Sequence, residues 1–186
     1  MAHVYTAKNN GQAWLTAIAG VLGFWLSATL LIDFTIMPSM YFSGMMNTPN
    51  FGAVGYTLFS IFNRIELLCG AVALSGGLWL WQSNVLDSKQ KIEVGVSSAL
   101  LLLIALCYTF ILTPQMGGLS IDLNMMDSAN IVNGGLENLQ MHSTIVVEAP
   151  PGMNQMHVVY WVLEALKITL MATVLGTTYR RLVSAN

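Results

Sequence analysis

Long runs of apolar residues, separated by polar segments, dominate the pattern of this chain. Four runs are long enough to cross ~30 Å of hydrocarbon at ~1.5 Å per residue. They extend over residues 13–38, 55–81, 94–113 and 156–179. Pro38 is expected to end the first run and Pro114 to stop the third, because proline interrupts helices. Since only helices and closed barrels satisfy the backbone in lipid, runs of this length predict transmembrane helices.

The links between the runs predict how the helices are arranged. Short links join the first run to the second and the second to the third, which favours an antiparallel arrangement. The segment between the third and fourth runs, residues 115–155, is much longer and contains both apolar residues and turn signals. We therefore predict a single all-α integral membrane domain over residues 1–186. It is a four-helix transmembrane up-down bundle with a folded outer loop between helices 3 and 4.

Composition agrees with a membrane protein, since 55% of the residues are hydrophobic and only 9% are charged. Soluble domains average ~25% charged residues. The mean hydropathy is +0.63. The net charge of −2 argues against a nucleic-acid partner, which would require a basic surface. Cys69 and Cys107 both lie in apolar runs, where small buried side chains are expected and a structural disulfide is the alternative.

The distribution of basic residues predicts the orientation in the membrane. Five of the seven basic residues lie in the two tails and the second link: Lys8, Lys89, Lys91, Arg180 and Arg181. With four spans, these segments share one side, and the opposite side contains acidic residues but no Lys or Arg. The positive-inside rule then places both termini in the cytoplasm and the 115–155 loop outside. We expect a bacterial inner membrane or a thylakoid-type membrane.

Charged and amide side chains also lie inside the apolar runs, where they are costly and usually face other helices. The predicted intramembrane polar network contains Asp33, Asn63, Arg64, Glu66, Glu164 and Lys167. Glu164 and Lys167 are three residues apart and can pair with each other. Arg64 lies ~160° around the helix from Glu66, at ~100° per residue, so these two cannot pair within the helix. We expect Asp33 or Glu164 to be the partner of Arg64.

Small residues predict which faces of the helices pack closely. Asn63 and Glu66 share one helical stripe with three small residues, Gly70, Ala73 and Gly77. In the fourth run, a second ridge of small residues is suited to close packing: Ala165, Thr169, Ala172 and Gly176. The polar network then has two interpretations. It is either a proton or ion path with a small polar pocket, or a closed, charge-compensated network that fixes the register of the helices.

Methionine and histidine are concentrated at the predicted outer side, where ten of the twelve methionines lie. Thioether and imidazole groups are the ligands that favour Cu(I). The candidate metal ligands are Met37, Met40, Met153, Met156, His142 and His157. The alternative is that methionine fills irregular apolar gaps beneath the outer loop. We predict no cofactor, with copper as the alternative, and we find no catalytic motif such as GxSxG or HExxH.

Short motifs along the chain resemble a bacterial four-helix membrane family. They include Pro38, the segment from Gly52 to Phe59, Phe62-Asn63, Leu112-Thr113-Pro114-Gln115-Met116, and Met156-His157. The chain resembles the family called domain of unknown function 4149, which includes transmembrane-protein-205-like proteins, and it is distantly similar to the CopD copper-resistance membrane domain. The resemblance implies four helices and no established chemistry. The chain departs from the pattern in lacking a histidine in the first run and in its long outer loop.

These observations lead to three functional expectations, and the third of them is a redox enzyme, for which bis-histidine ligation of a haem is nearly excluded because only His157 lies at a predicted helix. The first is a non-catalytic integral membrane protein, an accessory, assembly or scaffold subunit of a larger membrane complex. Its expected partners are the lipid bilayer and other membrane protein subunits or further copies of itself. The alternative is a membrane transporter for a metal such as copper, or for protons or other ions, that uses the intramembrane charges and the outer methionines and histidines.

Overall fold

The computed structural model describes residues 2–45, 51–83, 86–118 and 153–185, and the elements in these segments are helical. The first segment contains α1, Ala2–Leu31, a π-helical turn, Ile32–Ile36, and α2, Met37–Phe42. The second segment contains α3, Phe51–Gln82.

The remaining two segments complete the helical part. α4, Ser88–Cys107, is followed by a second π-helical turn, Tyr108–Leu112, and by further helix up to residue 118. α5 is Met153–Ala185. The predicted loop over 115–155 therefore lies mostly outside the described residues, but its first residues are helical and its last three belong to α5.

Four helical segments are long and apolar enough to cross a membrane, which indicates an integral membrane protein. We call them spans 1 to 4, and they are Gly11–Phe42, Val54–Gln82, Ser88–Gly118 and Val158–Ser184. The prediction of four long apolar helices is confirmed for the described part of the chain. Span 3 begins earlier than residue 94 because Asp87 and Gln90 form a capping box, in which the Asp87 N–H donates to Gln90 Oε1 at 3.3 Å.

Proline does not end the helices as the sequence predicted. Pro38 lies in the first turn of α2, and Pro114 lies inside the helical segment that continues to residue 118. Each proline lies two residues after the end of a wide π-helical turn. The Met37 and Thr113 N–H groups close these turns by donating to the carbonyls of Ile32 and Tyr108, five residues earlier. We attribute the continuation of the helices to these wider turns, which relieve the clash of the proline ring with the preceding turn.

Span 1 ends instead at a glycine. Gly44 has a φ of 71°, the left-handed conformation that commonly follows the last residue of a helix. Its N–H donates to the Tyr41 carbonyl at 3.1 Å, so one of the terminal carbonyl groups of the helix is satisfied. Glycine adopts this conformation without a steric penalty. The helix of span 1 therefore ends at Gly44, and not at Pro38 as the sequence predicted.

Each span packs against two neighbours. Span 1 packs against spans 2 and 4, and span 3 packs against the same two. The core between them contains apolar side chains from all four, including Leu22, Ala73, Leu101 and Val174. Large apolar side chains that face outward are exposed on every span, as expected for a surface in contact with lipid. Both cysteines are free, Cys69 buried and Cys107 half-buried, which agrees with the expectation of unpaired thiols.

Glycines on span 2 allow its neighbours to approach closely. A Cβ built at Gly70 would lie 3.3 Å from the Leu102 Cα of span 3, and one built at Gly77 would lie 3.2 Å from the Ser98 hydroxyl. The buried stripe of Asn63, Glu66 and these glycines is the face that the spacing predicted. On span 2, Gly76 meets span 1 instead, and a Cβ there would lie 2.7 Å from the Ile18 side chain.

We expect Gly76→Ala to destabilise the bundle, because overpacking beside the fully buried Ile18 costs ~1–3 kcal/mol. Gly20→Ala is the matched control, since no atom lies within 4 Å of a Cβ at this exposed helical position. There the better helix propensity of alanine should leave stability unchanged or raise it by up to ~1 kcal/mol. Thermal unfolding of both variants in detergent measures the difference. Equal melting temperatures would show that spans 1 and 2 are not packed this closely.

Candidate functional site

A group of charged side chains lies buried at the centre of the bundle. Asp33 on span 1, Glu66 on span 2, and Glu164 and Lys167 on span 4 are 6%, 0%, 2% and 2% exposed. We call these four residues the carboxyl cluster. Such groups are almost never fully buried unless they are paired, because removing a charge from water is costly. Lys167 is the one cation of the cluster, so its contacts determine whether the buried carboxylates are compensated.

Lys167 bridges two carboxylates that belong to different helices. Its Nζ lies 2.6 Å from Glu66 Oε1 on span 2 and 2.9 Å from Glu164 Oε1 on its own helix. The second contact has the i, i+3 spacing that the sequence predicted. The ammonium also lies over the Tyr108 ring, 4.8 Å from its centroid, at a distance typical of a cation–π interaction. Lys167 thus connects spans 2, 3 and 4 through one charge.

Neutral donors complete the surroundings of the carboxylates. Trp25 Nε1 donates to Glu66 Oε1 at 2.9 Å. The Tyr108 hydroxyl donates to Glu164 Oε2 at 2.8 Å, and the Tyr160 hydroxyl donates to Asp33 Oδ1 at 3.0 Å. Hydrogen bonds to charged groups are roughly twice as strong as neutral ones, so these three donors disperse part of the negative charge.

Sequence reasoning did not include Trp25 or Tyr108 in the network. A signal for Trp25 was present, because Trp25, Thr29 and Asp33 follow one another at i, i+4 and i+8 on one face of α1 and its extension. Tyr108 gave no such signal, since it lies in an uninterrupted apolar run. Tyr108 begins a π-helical turn, which changes the direction of the side chains that follow relative to a regular α-helix. Asp33 lies in the π-helical turn of span 1.

Asn63 is buried but makes a separate contact. Its Nδ2 donates to the Thr113 hydroxyl at 2.6 Å, one residue before Pro114. This bond connects span 2 to the end of span 3, and it satisfies an amide that would otherwise be unpaired in an apolar interior. Of the six predicted network residues, the structure therefore places four in the carboxyl cluster and one beside it.

Arg64 lies on the outside of the bundle. Its side chain is exposed, whereas Glu66, two residues later, is fully buried, so the expected separation of the two around the helix is confirmed. The expected ion pair of Arg64 with Asp33 or Glu164 is not found. Those carboxyl groups contact Tyr160, Tyr108 and Lys167 instead, because the face of span 2 that carries Arg64 turns away from spans 1 and 4.

The candidate copper ligands are only partly within the described part of the chain. Met40 is buried, and Met37 and Met156 are half-buried. The side chains of Met153, His142 and His157 lie outside the described residues. Among the residues that the structure describes, no group of three or more His, Cys, Asp or Glu side chains could hold a metal ion. Copper binding by methionines stays a prediction.

The carboxyl cluster combines acids, one ammonium and hydroxyl donors in a water-poor interior. In the described part of the chain, Asp33 Oδ2 and Glu66 Oε2 have no hydrogen-bond partner, and Glu164 Oε1 contacts Lys167 outside hydrogen-bond geometry. Carboxylate oxygens only accept hydrogen bonds, so Asp33 Oδ2 and Glu66 Oε2 lack a described donor. The arrangement can hold helices together through charge, and it can also bind a positively charged species.

We expect Lys167→Met to destabilise the protein by ~3–5 kcal/mol, the usual cost of removing one partner of a buried ion pair. The variant leaves the carboxylates of Glu66 and Glu164 without a counter-charge. The double variant Lys167→Met/Glu66→Gln should recover part of the loss, because one uncompensated charge is removed. Glu93→Gln, at an exposed carboxylate, is the control and should unfold like the wild type. A melting temperature of Lys167→Met equal to that of the wild type would contradict a bridging role.

No protein-family model matches the chain, and neither the curated proteins nor the solved structures contain a match. The resemblance to the domain of unknown function 4149 family therefore stays a prediction from the motifs.

Proposed function

We propose that this chain is a non-catalytic subunit of a larger membrane complex, an accessory or assembly component. It binds another membrane protein through the side of span 2 that faces away from the bundle and carries Arg64. The observation that carries the proposal is the exposure of Arg64. Every other charged side chain of the predicted network is buried against neighbouring helices, whereas Arg64 points away from the bundle.

The position of Arg64 along span 2 makes its exposure costly. It lies ten residues after Val54 and eighteen before Gln82, which corresponds to ~15 Å and ~27 Å along the helix axis at ~1.5 Å per residue. A charged side chain this far inside the hydrocarbon costs at least ~2.5–3.5 kcal/mol at the centre of a lipid-facing helix. A partner that covers Arg64 and supplies a carboxylate removes this cost.

The residues around Arg64 have the spacing of a helix-packing face. Exposed side chains follow one another at alternating intervals of three and four residues: Ile61, Arg64, Leu68, Ala71 and Ser75. This heptad-like spacing suits a second helix crossing at ~20°. The small side chains of Ala71 and Ser75 permit close approach near one end of the face. The face thus combines apolar contact, small residues and one charge that needs a partner.

A different protein fits this face better than a second copy of the chain. Two copies in the same membrane share an orientation, so a symmetric contact through span 2 places Arg64 opposite Arg64 at the same depth. Like charges facing each other disfavour that pairing. The partner is therefore a transmembrane helix with an Asp or Glu at the depth of Arg64. The ridge of Ala165, Thr169 and Ala172 is also exposed on span 4, and it provides another surface for close helix packing.

The proposed topology is an up-down bundle with both termini in the cytoplasm and the 115–155 loop outside, in a bacterial inner membrane or a thylakoid-type membrane. Contacts at one end support it. Near the end of span 4, Arg181 forms an ion pair with Asp87, at the start of α4, and its Nε donates to Gln90 Oε1 at 2.7 Å. The basic residues Lys89, Lys91 and Arg180 lie close to this contact in sequence, as the positive-inside rule requires for a cytoplasmic end.

A second candidate function is the handling of protons or of a metal ion such as copper. The excess of carboxyl groups over ammonium groups in the carboxyl cluster favours the proton, whereas the candidate copper ligands are the methionines and histidines, among them Met40 and Met156. In proteoliposomes, Glu66→Gln should lower proton flux and Met156→Leu should lower Cu(I) flux, each relative to the wild type. Flux that is unchanged in both variants would contradict transport.

Site-specific crosslinking tests the subunit proposal. A photo-crosslinking residue at position 68, where Leu68 is 69% exposed, should capture a transmembrane helix of a different protein close to an Asp or Glu. The matched control is position 103 in the middle of span 3, where Leu103 is 55% exposed. Combining the crosslinker with Arg64→Gln should reduce the yield by tenfold or more, because losing one partner of a buried charge pair costs ~2–5 kcal/mol.

The control for charge is Arg180→Gln, which removes a positive charge near the end of span 4 and should leave the yield unchanged. Crosslinks at position 68 to lipid alone, together with a monomer in mild native detergent, would contradict the proposal. In that case the Arg64 side chain extends to the lipid headgroups instead of binding a protein.

A further inference from the structure

The carboxyl cluster contains more acidic than basic groups. Three carboxyl groups, Asp33, Glu66 and Glu164, share one ammonium, Lys167. The other cation within the spans near this depth, Arg64, is exposed and does not contact them. If every group were ionised, the cluster would therefore carry two uncompensated negative charges inside a helix bundle that faces lipid. Buried charges without partners are among the most costly arrangements in proteins.

Within the described helices, some polar atoms in and beside the carboxyl cluster have no hydrogen-bond partner, just as some of its negative charges have no positive partner. Asp33 Oδ2, Glu66 Oε2 and the Thr29 hydroxyl have no hydrogen-bond partner in the described part of the chain. Thr29 is only 1% exposed, and it lies between Trp25 and Asp33 on the same helical face. The two carboxylate oxygens lack a described hydrogen-bond donor, and a proton on a carboxyl group converts an acceptor into a donor.

Asp33 and Glu164 are the pair that is suited to share this proton. Their carboxyl groups interact electrostatically, although they belong to spans 1 and 4. Tyr160, one turn before Glu164 on the same helix, contacts Asp33 directly. Tyrosine hydroxyls hold one oxygen of each, since Tyr160 donates to Asp33 Oδ1 and Tyr108 donates to Glu164 Oε2. The other oxygen of Asp33 has no hydrogen-bond partner among the described residues, and that of Glu164 contacts Lys167 outside hydrogen-bond geometry. Two carboxyl groups in contact away from water do not both ionise, and one proton between them removes the repulsion.

Titratable groups from the other spans and from span 4 itself interact with this pair. They are Glu66 on span 2, Tyr108 on span 3, and Tyr160 and Lys167 on span 4. Cys69 on span 2 interacts with Glu66. Lys167 neutralises one of the three carboxylates, and the hydrogen bonds from Trp25, Tyr108 and Tyr160 disperse the charge that remains. A metal ion is not indicated, because the described carboxyl groups do not form a group that could hold one.

We propose that the carboxyl cluster is a proton-binding site within the membrane, and that one proton is shared between the carboxyl groups of Asp33 and Glu164. The ligand is the proton itself. Binding forms one O–H bond on a carboxylate oxygen, the proton comes from water and returns to it, and no other reactant is needed. The inference deepens the second candidate function, proton handling, and it does not depend on a partner helix at Arg64.

The shared proton also connects the two helices. With the proton in place, Asp33 and Glu164 attract each other across the contact between spans 1 and 4. Without it, two negative charges oppose each other at the same contact. Binding and release of a proton therefore change how these spans pack, while Lys167 continues to hold span 4 to span 2.

Infrared spectroscopy of the purified protein in lipid nanodiscs tests the proposal. A protonated carboxyl group has a carbonyl stretching band above the amide I band, and the band shifts in D2O. Exposed carboxyl groups are ionised at neutral pH, so they do not contribute. We expect the wild type to show this band at neutral pH and to lose it on titration to alkaline pH. Absence of the band at neutral pH would overturn the proposal, and this measurement needs no variant.

Variants identify the residues that carry the proton. Asp33→Asn and Glu164→Gln should each remove most of the band, since each removes one member of the pair. Glu93→Gln, at an exposed carboxylate, is the matched control and should leave it unchanged. A band that survives in both Asp33→Asn and Glu164→Gln would overturn the assignment. Because the experiment measures protonation at equilibrium, unchanged proton flux in liposomes would contradict transport without affecting the proton-binding site.

Discussion

The structure depends above all on how one ammonium compensates acidic groups that are removed from water. Lys167 contacts Glu66 and Glu164 at the same time, and it does so where all three side chains are essentially inaccessible. A pair of charges in such an environment is tolerated only when its geometry is good and the remaining polar atoms are satisfied. The rotation of span 4 is therefore constrained, since turning it would separate Lys167 from span 2.

Two local distortions of the helices bring further groups to this centre. Asp33 lies in the π-helical turn before Pro38, and Tyr108 begins the π-helical turn before Pro114. In both places the wider turn accompanies a proline and continues the helix. Wide turns of this kind are frequent at functional sites, because the additional residue redirects side chains. Here they accompany an acid and a hydroxyl that both contact the side chains of span 4.

The interior of the bundle has an excess of acidic groups, whereas its lipid-facing surface has one positive charge without a described partner. Inside, acidic groups exceed basic ones, and the proposed shared proton reduces the excess from two negative charges to one without any other molecule. Outside, Arg64 is a single positive charge on an apolar face, and only a lipid headgroup or another protein can compensate it. Glu66, the member of the cluster on span 2, lies two residues from Arg64 and on the opposite face of that helix. The proposed partner at Arg64 and the proposed proton on spans 1 and 4 are therefore separable.

Much of this organisation follows from the sequence alone. Length and hydropathy predicted four long apolar helices, and the helical period placed Glu66 on a packed face and Arg64 on the opposite one. Both depend only on residues close together along the chain, so local physical rules suffice. The prediction that Pro38 ends the first helix was wrong. Proline usually interrupts a helix, and the wide turn that accommodates it has no simple sequence pattern.

Only the tertiary structure decided which groups meet. Trp25 and Glu66 are separated by 41 positions, Glu164 and Tyr108 by 56, and Lys167 and Glu66 by 101. Their contacts depend on the axial offset and rotation of whole helices. The close approach of Leu102 to Gly70 and of Ile18 to Gly76 fixes part of this arrangement, between span 2 and its two neighbours. The sequence showed that buried charges must find partners. The packing of the four helices decided that Lys167 compensates two carboxylates and that Arg64 stays outside.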